Sequence, residues 1–505
     1  MSATLHISAQ ATDTWSKASF TKAVFADFWQ MTACFGGAVV AVYYAPSIIN
    51  YLYFLGVVAL FWRTKHDYFY FAFYFIVINT PAFLFFETSG AAAHRLPLYK
   101  LTGGVSFSVL DLFVLASIAK AFVQGKSKTF RTSKSLRFLL IYFVLVSIPI
   151  SYILGVEESS FFNNFRPFFY YAVLVTFYFL IDDIEDLFKF GYLMVPYVVF
   201  TLFDQLFLLT QGKLLISYIN PETIRAIVNN TVTQEARAYF SGFLVVFYAF
   251  WFAIQLRIRS RYELFSGLSY LIIFLALATF ILSATRVYLM IPAAVIGMYV
   301  IYSRHGASDI VKVSIVGFFL GIIFFSLNII SFDFILKNIW PRFEAFFEVI
   351  AGGGDLSKFD TLRNRVEEDW PDIMRGVANS PIIGVGFGDA YRRYENDDLG
   401  FINTVLIFGW VGFALFINFL ITFYRNLNQW VRNPLTNEDT RVILNTMRML
   451  MAGILLGYAT TYDLFTVRQI DHIYFMAIII ASSEVAVDHV QSQKANYLKR
   501  KLTNA

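Results

Sequence analysis

The sequence has few charged residues and almost no cysteine. Of its 505 residues only 15% are Asp, Glu, Lys or Arg, whereas 58% are hydrophobic. A water-soluble domain of this composition would expose apolar surface nearly everywhere. The composition therefore excludes a soluble protein and predicts an all-α integral membrane protein, whose apolar surface is covered by lipid.

The shortage of cysteine also excludes several kinds of site. Cys34 is the only cysteine, so an intramolecular disulfide and a thiolate-rich metal or iron–sulfur site are excluded. No set of His, Cys and carboxylates has the spacing of metal ligands, and we expect no metal and no cofactor. The net charge of +5 is small and unevenly distributed, which argues for membrane topology and against nucleic-acid binding.

Long apolar runs recur along the chain and predict about 12–14 transmembrane helices. Residues 1–30 are polar and mixed, without a cleavable signal peptide, and are expected to form a cytoplasmic N-terminal segment. Pro46 divides the first two runs, which form either two spans or one long or re-entrant element. The expected divisions after residue 30 are a helical bundle at 31–331, a large extracytoplasmic loop at 332–397, C-terminal membrane helices at 398–486 and a cytoplasmic tail at 487–505. The loop is too long for a simple connector, so we expect part of it to fold as helices over the membrane.

Basic residues occur in alternate loops, as the positive-inside rule requires of cytoplasmic loops. These loops hold Arg63 and Lys65, residues 126–137, residues 257–261, Arg304, residues 425–441 and the tail at 499–501. The acidic turn Asp182–Glu185 falls on the same side, but acidic residues carry little weight in this rule. The opposite, extracytoplasmic side then receives the 212–238 loop, the tight turn at Arg286 and the 332–397 loop.

Three arginines stand at span ends on that extracytoplasmic side: Arg166, Arg237 and Arg286. An arginine in such a position either extends to lipid headgroups or helps to bind an anion. A guanidinium keeps its charge, and its fixed fork of donors matches phosphate oxygens. Because cations are disfavoured on this side, Arg237 and Arg286 suit the diphosphate of a lipid carrier. Arg166 is explained more readily as an interfacial anchor.

The most specific motif is SPIIGVGFG at 380–388, followed by a polar cluster and by an apolar span with the step GWVG at 409–412. It resembles the signature region of the O-antigen ligase and Wzy-type polysaccharide polymerase superfamily. In that family a P-x-x-G-x-G-x-G turn precedes an H-N-x-x-L-Q-x-x-x-x-x-G-x-x-G helix start. Counting back from the two glycines of GWVG places Asn403 at the family's glutamine and Asp398 at its histidine.

Two further segments share the resemblance, which covers roughly residues 230–425. The stretch ILSATRVYLM at 281–290 resembles the family's S-x-S-R helix end, and this places Arg286 on the family's arginine. Arg237, before a Ser-Gly step and a span, resembles the family's other outer-face arginine. Val287 replaces the usual small residue after the arginine. The first half of the chain agrees with the family only in hydropathy.

The resemblance implies a GT-C-like membrane protein that transfers a glycan from a polyprenyl (undecaprenyl) diphosphate donor, on the periplasmic face of a bacterial inner membrane. Because Asp398 replaces the histidine associated with ligases, we favour a polymerase of O-antigen or exopolysaccharide. The acceptor sugar hydroxyl would displace the carrier directly, with inversion and without a metal. Arg286 and Arg237 would stabilise the diphosphate, and Asp398, or else Asp397, would accept the hydroxyl proton.

Other polar residues on this side are candidates for substrate binding. They are Arg166, Glu395, Asn403, Arg392, Arg393 and His472. The alternative for the cluster Glu395–Asp398 is a solvated loop with helix-capping carboxylates. For His472 the alternative is an ion pair that fixes a helix end, among Asp463, Arg468, Asp471 and His472.

The expected partners are the lipid bilayer, the lipid-linked oligosaccharide, a flippase and a chain-length regulator. Two alternatives to a polymerase remain. One is a ligase that moves finished glycan to a lipid or protein acceptor, and the other is a transporter or flippase of lipid-linked glycan.

Overall fold

The computed structural model describes residues 2–80, 98–100, 106–125, 128, 134–155, 168–211, 242–256, 262–283, 286–302, 306–326, 369–394, 399–459 and 470–503. Within these ranges the regular structure is helical apart from one hairpin, in which β1 (Leu98–Lys100) pairs antiparallel with β2 (Ser106–Ser108). The helices are α1 (Ser2–Tyr43), α2 (Ser47–Arg63), α3 (Asp67–Ile78), α4 (Val109–Gln124), α5 (Lys134–Tyr142), α6 (Ile148–Ile153), α7 (Ala172–Leu180), α8 (Ile184–Tyr192), α9 (Val195–Gln211), α10 (Phe243–Leu256), α11 (Ser266–Leu282), α12 (Arg286–Tyr302), α13 (Gly306–Ser326), α14 (Trp370–Asn379), α15 (Asp389–Tyr394), α16 (Gly400–Arg432), α17 (Glu438–Tyr458) and α18 (Ile470–Thr503). A π-helical turn, Phe143–Ser147, joins α5 to α6.

Five helical segments in the described ranges are long and apolar enough to cross a membrane. They are Ala18–Val42, Lys134–Ile153, Ile184–Phe207, Gly400–Arg432 and Ile470–Ser492. Five shorter apolar helices accompany them, at Ser47–Arg63, Asp67–Ile78, Phe243–Leu256, Gly267–Leu282 and Val287–Ile301. The chain is thus an all-α, multi-pass membrane protein by the length and composition of its helices. The expected total of about 12–14 spans includes stretches outside the described residues and stays a prediction.

The N-terminal helix begins well before the first expected span. Helix α1 is continuous, and its candidate membrane-crossing segment, Ala18–Val42, includes residues that precede the first expected span near residue 31. The reason is a one-sided pattern, since Phe20, Val24 and Met31 lie on one face of the helix and are all buried. Polar residues between them fall on other faces and hide the pattern from a simple hydropathy scan.

Two other boundaries were left open or placed differently from the sequence. Pro46 lies between α1 and α2, so the first two apolar runs form two separate helices. Helix α18 continues through residue 487 to Thr503, so most residues of the expected tail are helical, and their cytoplasmic position stays a prediction. Helices α14 and α15 lie within residues 332–397, and the prediction that this segment is an extracytoplasmic loop over the membrane stays a prediction.

Helix α10 is at the centre of the described bundle. Every residue of Phe243–Leu256 is buried, as expected of a helix that is apolar on all sides and surrounded by other helices. Helices α9, α11 and α17 pack against it. Gly453 of α17 allows the ring of Phe247 to approach the α17 backbone, because a Cβ at this position would overlap the ring.

One end of the bundle is organised around Lys120, near the C-terminus of α4. Its side chain is only 1% exposed and pairs with Asp67 at 2.5 Å. The same ammonium group donates to the carbonyl oxygens of Phe61 at 2.6 Å and Thr64 at 2.7 Å, where α2 ends. All three donors of the ammonium are therefore used, and the charge joins α2, α3 and α4.

The acidic turn that disagreed with the basic loops lies at this same end and is balanced there by bases. Lys128 Nζ lies 3.3 Å from Asp182 and donates to the carbonyl of Ile181 at 2.5 Å. His489 Nδ1 of α18 lies 3.5 Å from Asp183. The turn is therefore compatible with a basic side of the membrane.

Helices α5, α16 and α18 meet at this end too, where Leu136, Leu427 and Gln491 line a common cavity. We call it the basic end, defined by Lys120, Lys128, Arg432, Arg441 and His489, and the other end the opposite end. The basic end brings together loops that the positive-inside pattern assigned to one side. That this side is cytoplasmic stays a prediction.

Candidate functional site

Helix α16 is broken at Gly409. This residue has φ 65° and ψ −179°, a conformation that interrupts the helical ladder within a membrane-crossing segment. The break leaves a short half-helix, Gly400–Phe408, and a long one that continues to Arg432. A break of this kind leaves carbonyl and N–H groups without helical partners, and in lipid each needs another partner.

The turn SPIIGVGFG supplies those partners from its own backbone. On one side of the break, the N–H groups of Val385 and Gly386 donate to the carbonyls of Leu406 and Ile407 at 2.8 and 3.0 Å. On the other side, Trp410 and Val411 donate their N–H groups to Pro381 and Ile382 at 2.9 and 3.1 Å. The backbone of this motif thus supplies the hydrogen-bond partners at the break in a discontinuous helix, and we call residues 380–388 the plug.

Two glycines make this close approach possible. Gly409 and Gly384 both have positive φ, 65° and 79°, which L side chains rarely adopt. A Cβ on Gly384 would collide with the carbonyl of Ile407, and one on Gly409 with the carbonyl of Ile382. The glycine spacing of the motif is therefore explained by the contact between two backbones, not by contact with a phosphate.

Helices α5 and α6 hold the plug from outside. The Tyr142 hydroxyl lies 2.7 Å from the carbonyl oxygen of Phe408 and 3.2 Å from that of Ile383, and thus bonds to both sides of the junction. Ser151 Oγ accepts from the N–H of Phe387 at 2.8 Å. The π-helical turn between α5 and α6 lies between these two contacts, and such turns frequently occur at functional sites.

Replacing Tyr142 with Phe is expected to destabilise the protein by about 1–2 kcal/mol, because the carbonyl of Phe408 loses its hydroxyl donor in an apolar environment. Thermal unfolding of the purified protein in detergent measures the effect. Tyr44→Phe is the matched control, since Tyr44 is 63% exposed. Equal unfolding temperatures for the two variants would show that the hydroxyl does not support the junction.

The half-helix also carries buried polar groups. Asn403, the position assigned to the family's glutamine, is 1% exposed, and its N–H donates to the carbonyl of Leu399 at 2.9 Å. Thr404 shares a hydrogen bond with the hydroxyl of Tyr458, the last residue of α17. Asn403 is thus inside the bundle and not on a solvated loop. The end of α17 fixes the half-helix in place.

The same end of α17 brings the start of α12 to this region. A Cβ on Gly457 would lie 3.2 Å from Ile291 Cδ1, so α12 packs directly beside Tyr458. Arg286 begins α12, five positions before Ile291, which is roughly 7.5 Å along the axis towards the opposite end. The backbone of Arg286 and the first turns of the half-helix therefore lie at the same end of the bundle, on either side of α17.

The start of α10 reaches the same place. The rings of Phe243 and Tyr288 are stacked at 4.5 Å with an interplanar angle of 11°, which joins the first turns of α10 and α12. Arg237 itself precedes α10 and lies outside the described residues. The fold thus brings together the helices that follow two of the predicted arginines, Arg237 and Arg286.

The remaining predicted residues are only partly described. Arg166, Glu395, Asp397 and Asp398 lie outside the described residues, and for Arg286 and Arg392 the backbone alone is described. Arg393 is exposed on α15. His472, in the first turn of α18, has its Nδ1 3.3 Å from Asp471, as the ion-pair interpretation expects.

Sequence reasoning missed several charged residues that are buried or partly buried. Lys120 and Asp67 form the pair at the basic end, and Arg448 is within α17. Asp111 caps α4 through the N–H of Ser108 at 2.6 Å and accepts from Tyr170 at 2.6 Å. The sequence feature that could have identified them is a charged residue inside an apolar run, because such residues usually face the interior of a helical bundle.

The described residues contain no group of three His, Cys, Asp or Glu side chains that is placed to hold a metal ion. No protein-family model matches the sequence, and no curated protein is significantly similar to it.

Proposed function

We propose that this protein is a membrane-embedded glycosyltransferase that polymerises a bacterial surface polysaccharide, O-antigen or exopolysaccharide, from polyprenyl-diphosphate-linked units. The observation that supports it most is the discontinuous helix α16. Its short half begins at Gly400, two positions after Asp398, at the end of the bundle where α12 begins with Arg286. A candidate base and a candidate phosphate-binding arginine therefore belong to segments at the same end of the bundle, on either side of α17.

Half-helices in membrane proteins often direct their N-termini at anionic groups of a substrate. The start of the Gly400–Phe408 half-helix adds a partial positive charge at the opposite end. Arg286, with Arg237 from the segment before α10, would add full charges there. Together these groups suit a leaving diphosphate, whose negative charge grows as the glycosidic bond breaks.

In the proposed reaction the acceptor hydroxyl oxygen attacks the anomeric carbon of the donor sugar. The bond from that carbon to the diphosphate oxygen breaks, and polyprenyl diphosphate leaves with the bonding electron pair. Asp398 accepts the hydroxyl proton as the new glycosidic bond forms. The step needs no metal and inverts the configuration at the anomeric carbon.

The surroundings proposed for this site follow from the same assignment. Apolar helices with many aromatic residues would hold the polyprenyl chain, and the 332–397 segment would cover the sugars. Arg392, Arg393, Glu395, Asn403, Arg166 and His472 are candidates for sugar or phosphate contacts. The polymerase would work in the inner membrane, beside a flippase and a chain-length regulator.

A second candidate function has one observation in its favour. Broken helices with buried backbone junctions also form the substrate sites of secondary transporters. A transporter of lipid-linked glycan would use the α16 junction for gating and make no covalent product. The product of the reaction is therefore the observation that separates the two functions.

The deciding experiment incubates the purified protein in lipid nanodiscs with its lipid-diphosphate-linked repeat unit and separates the products by size. A ladder of products supports the polymerase. A single shifted product that appears only with an added lipid acceptor indicates a ligase. No product from an authentic donor favours the transporter.

Replacing Arg286 with Ala is expected to lower the rate of ladder formation by about 10²–10³-fold, the cost of removing one donor to a developing charge. The measurement is the initial rate at saturating donor, in nanodiscs. Arg425→Ala is the matched control, because Arg425 is exposed on α16 towards the basic end. Equal rates for the two variants would remove Arg286 from the proposed diphosphate site.

A further inference from the structure

Arg448 is a charged residue within α17 whose charge the described protein does not balance. Its Nη1 donates to Asn428 Oδ1 at 2.7 Å, but its Nε is buried without an acceptor. The titratable groups that interact with it electrostatically are Tyr424, Tyr299 and Arg432, and none of these is a carboxylate. Arg448 therefore differs from Lys120, whose three donors are all used.

A guanidinium without a carboxylate partner and with an unpaired Nε would be stabilised by a bound anion. A buried charge without a counterion costs several kcal/mol, and charged residues within membrane helices usually have a partner. Asn428 supplies one neutral acceptor and leaves the positive charge in place. A guanidinium with free donors matches phosphate oxygens in shape as well as charge.

The position of Arg448 on α17 indicates where the anion would come from. Most of α17 is buried, but Arg441, Asn445 and Arg448 are only partly buried and share one face, which continues to Leu455 and Leu456. The spacing of these residues places them in one stripe along the helix. The stripe is basic in the half of α17 nearer the basic end and apolar in the last turn of the helix.

Helix α16 borders this stripe. Helix α16 contributes Asn428 beside Arg448, and its Tyr424 hydroxyl donates to the Arg448 carbonyl at 3.4 Å. Helix α12 packs against α17 through Ile291, on a different face from the stripe. Arg441, at the basic end, donates to the carbonyls of Val431 and Thr436 where α16 ends. The stripe and α16 thus border a groove, which is cationic at Arg441 and Arg448 and apolar at Leu455 and Leu456.

We propose that this groove binds an anionic glycerophospholipid from the leaflet at the basic end. Its phosphate would accept hydrogen bonds from Arg448, and an acyl chain would lie along Leu455 and Leu456. Basic pockets between membrane helices are known to bind anionic headgroups in this way. Arg441 and Arg448 lie in the part of α17 nearer the basic end, whereas Leu455 and Leu456 lie in its last turn, and lipid binding there does not depend on the proposed glycosyl transfer.

The test measures lipid binding by the purified full chain. Native mass spectrometry counts phosphatidylglycerol and phosphatidylcholine retained by the protein as each lipid is titrated in detergent. The wild type is expected to prefer phosphatidylglycerol, and Arg448→Met to bind it at least about tenfold more weakly, as for loss of a hydrogen-bonded charged group. Arg425→Met removes the same charge from an exposed position of α16 and is expected to bind as the wild type does.

Several outcomes would overturn the proposal. Equal binding of both lipids by the wild type, or equal losses in the two Met variants, would mean that the groove does not recognise the anionic headgroup. Competition by inorganic phosphate at the same concentration as the lipid would mean that the site binds phosphate alone. If Arg448→Met does not insert, Arg448→Gln also removes the charge, and an unchanged affinity for phosphatidylglycerol in that variant would equally contradict the proposal.

Discussion

Gly409→Ala is expected to abolish ladder formation and to destabilise the protein by about 4 kcal/mol or more. Alanine at φ 65° and ψ −179° is strained, and its Cβ would collide with the carbonyl of Ile382 and the N–H of Gly384. Both colliding groups are backbone atoms, so no side-chain rotation can relieve the contact. The plug must then move away from the break.

The loss of activity follows from the loss of the junction. When the plug withdraws, the carbonyls of Leu406 and Ile407 lose the N–H groups that satisfy them. The half-helix would then either rejoin α16 as a continuous helix or lose its position against α17. Either change moves the segment that carries Asp398 away from the start of α12, where Arg286 stands.

The measurements are thermal unfolding in nanodiscs and the rate of ladder formation from the same preparation. Gly297→Ala is the matched control, because a Cβ at this helical position has nothing within 4 Å. It is expected to be neutral or to stabilise by up to about 1 kcal/mol, through helix propensity. Gly384→Ala should reproduce the Gly409→Ala result from the other side of the junction. If Gly409→Ala behaves as Gly297→Ala does, the break in α16 has no functional part.

Hydropathy alone predicted most of the helices, because lipid requires long apolar segments whatever their neighbours. It could not predict the break in α16, since Gly409 lies in an uninterrupted apolar run. The break depends on backbone bonds to residues 381–386, which no local pattern encodes. Hydropathy also failed to predict the start of helix α1. Phe20, Val24 and Met31 are buried there by tertiary packing, although the segment is mixed in polarity.

The candidate site was predictable only where a residue type restricts the chemistry. Glycine spacing pointed to the turn at 380–388, and the structure supplies its physical cause. Asn403 was found through its place in the motif, whereas its burial inside the bundle required the structure. Arg448 and Lys120 were missed, because a single charge in an apolar run does not reveal whether its partner is a carboxylate, a set of carbonyls or a ligand from outside.

Asp398→Asn is expected to slow polymerisation by about 10²–10⁴-fold, the usual contribution of a general base. The substitution keeps the size of the side chain and its ability to cap a helix, because Asn and Asp are about equally good at helix N-termini. A carboxylate that only stabilises the start of the half-helix would thus be replaced without loss. The unfolding temperature should stay unchanged while the rate falls.

Three variants assign the base among neighbouring carboxylates. Asp397→Asn and Glu395→Gln are expected to remain within about tenfold of the wild-type rate, since neither stands at the family's histidine. Asp398→His puts an imidazole where the resemblance has one, and an imidazole can accept the same proton. It should therefore recover most of the activity that Asp398→Asn loses. A full rate in Asp398→Asn together with a reduced rate in Asp397→Asn would assign the base to Asp397. Full rates in Asp398→Asn, Asp397→Asn and Glu395→Gln would mean that no carboxylate of this segment is the base. Histidine and asparagine are both neutral and polar before the reaction, but only histidine can accept a proton. Activity with histidine and not with asparagine would therefore indicate proton transfer at position 398.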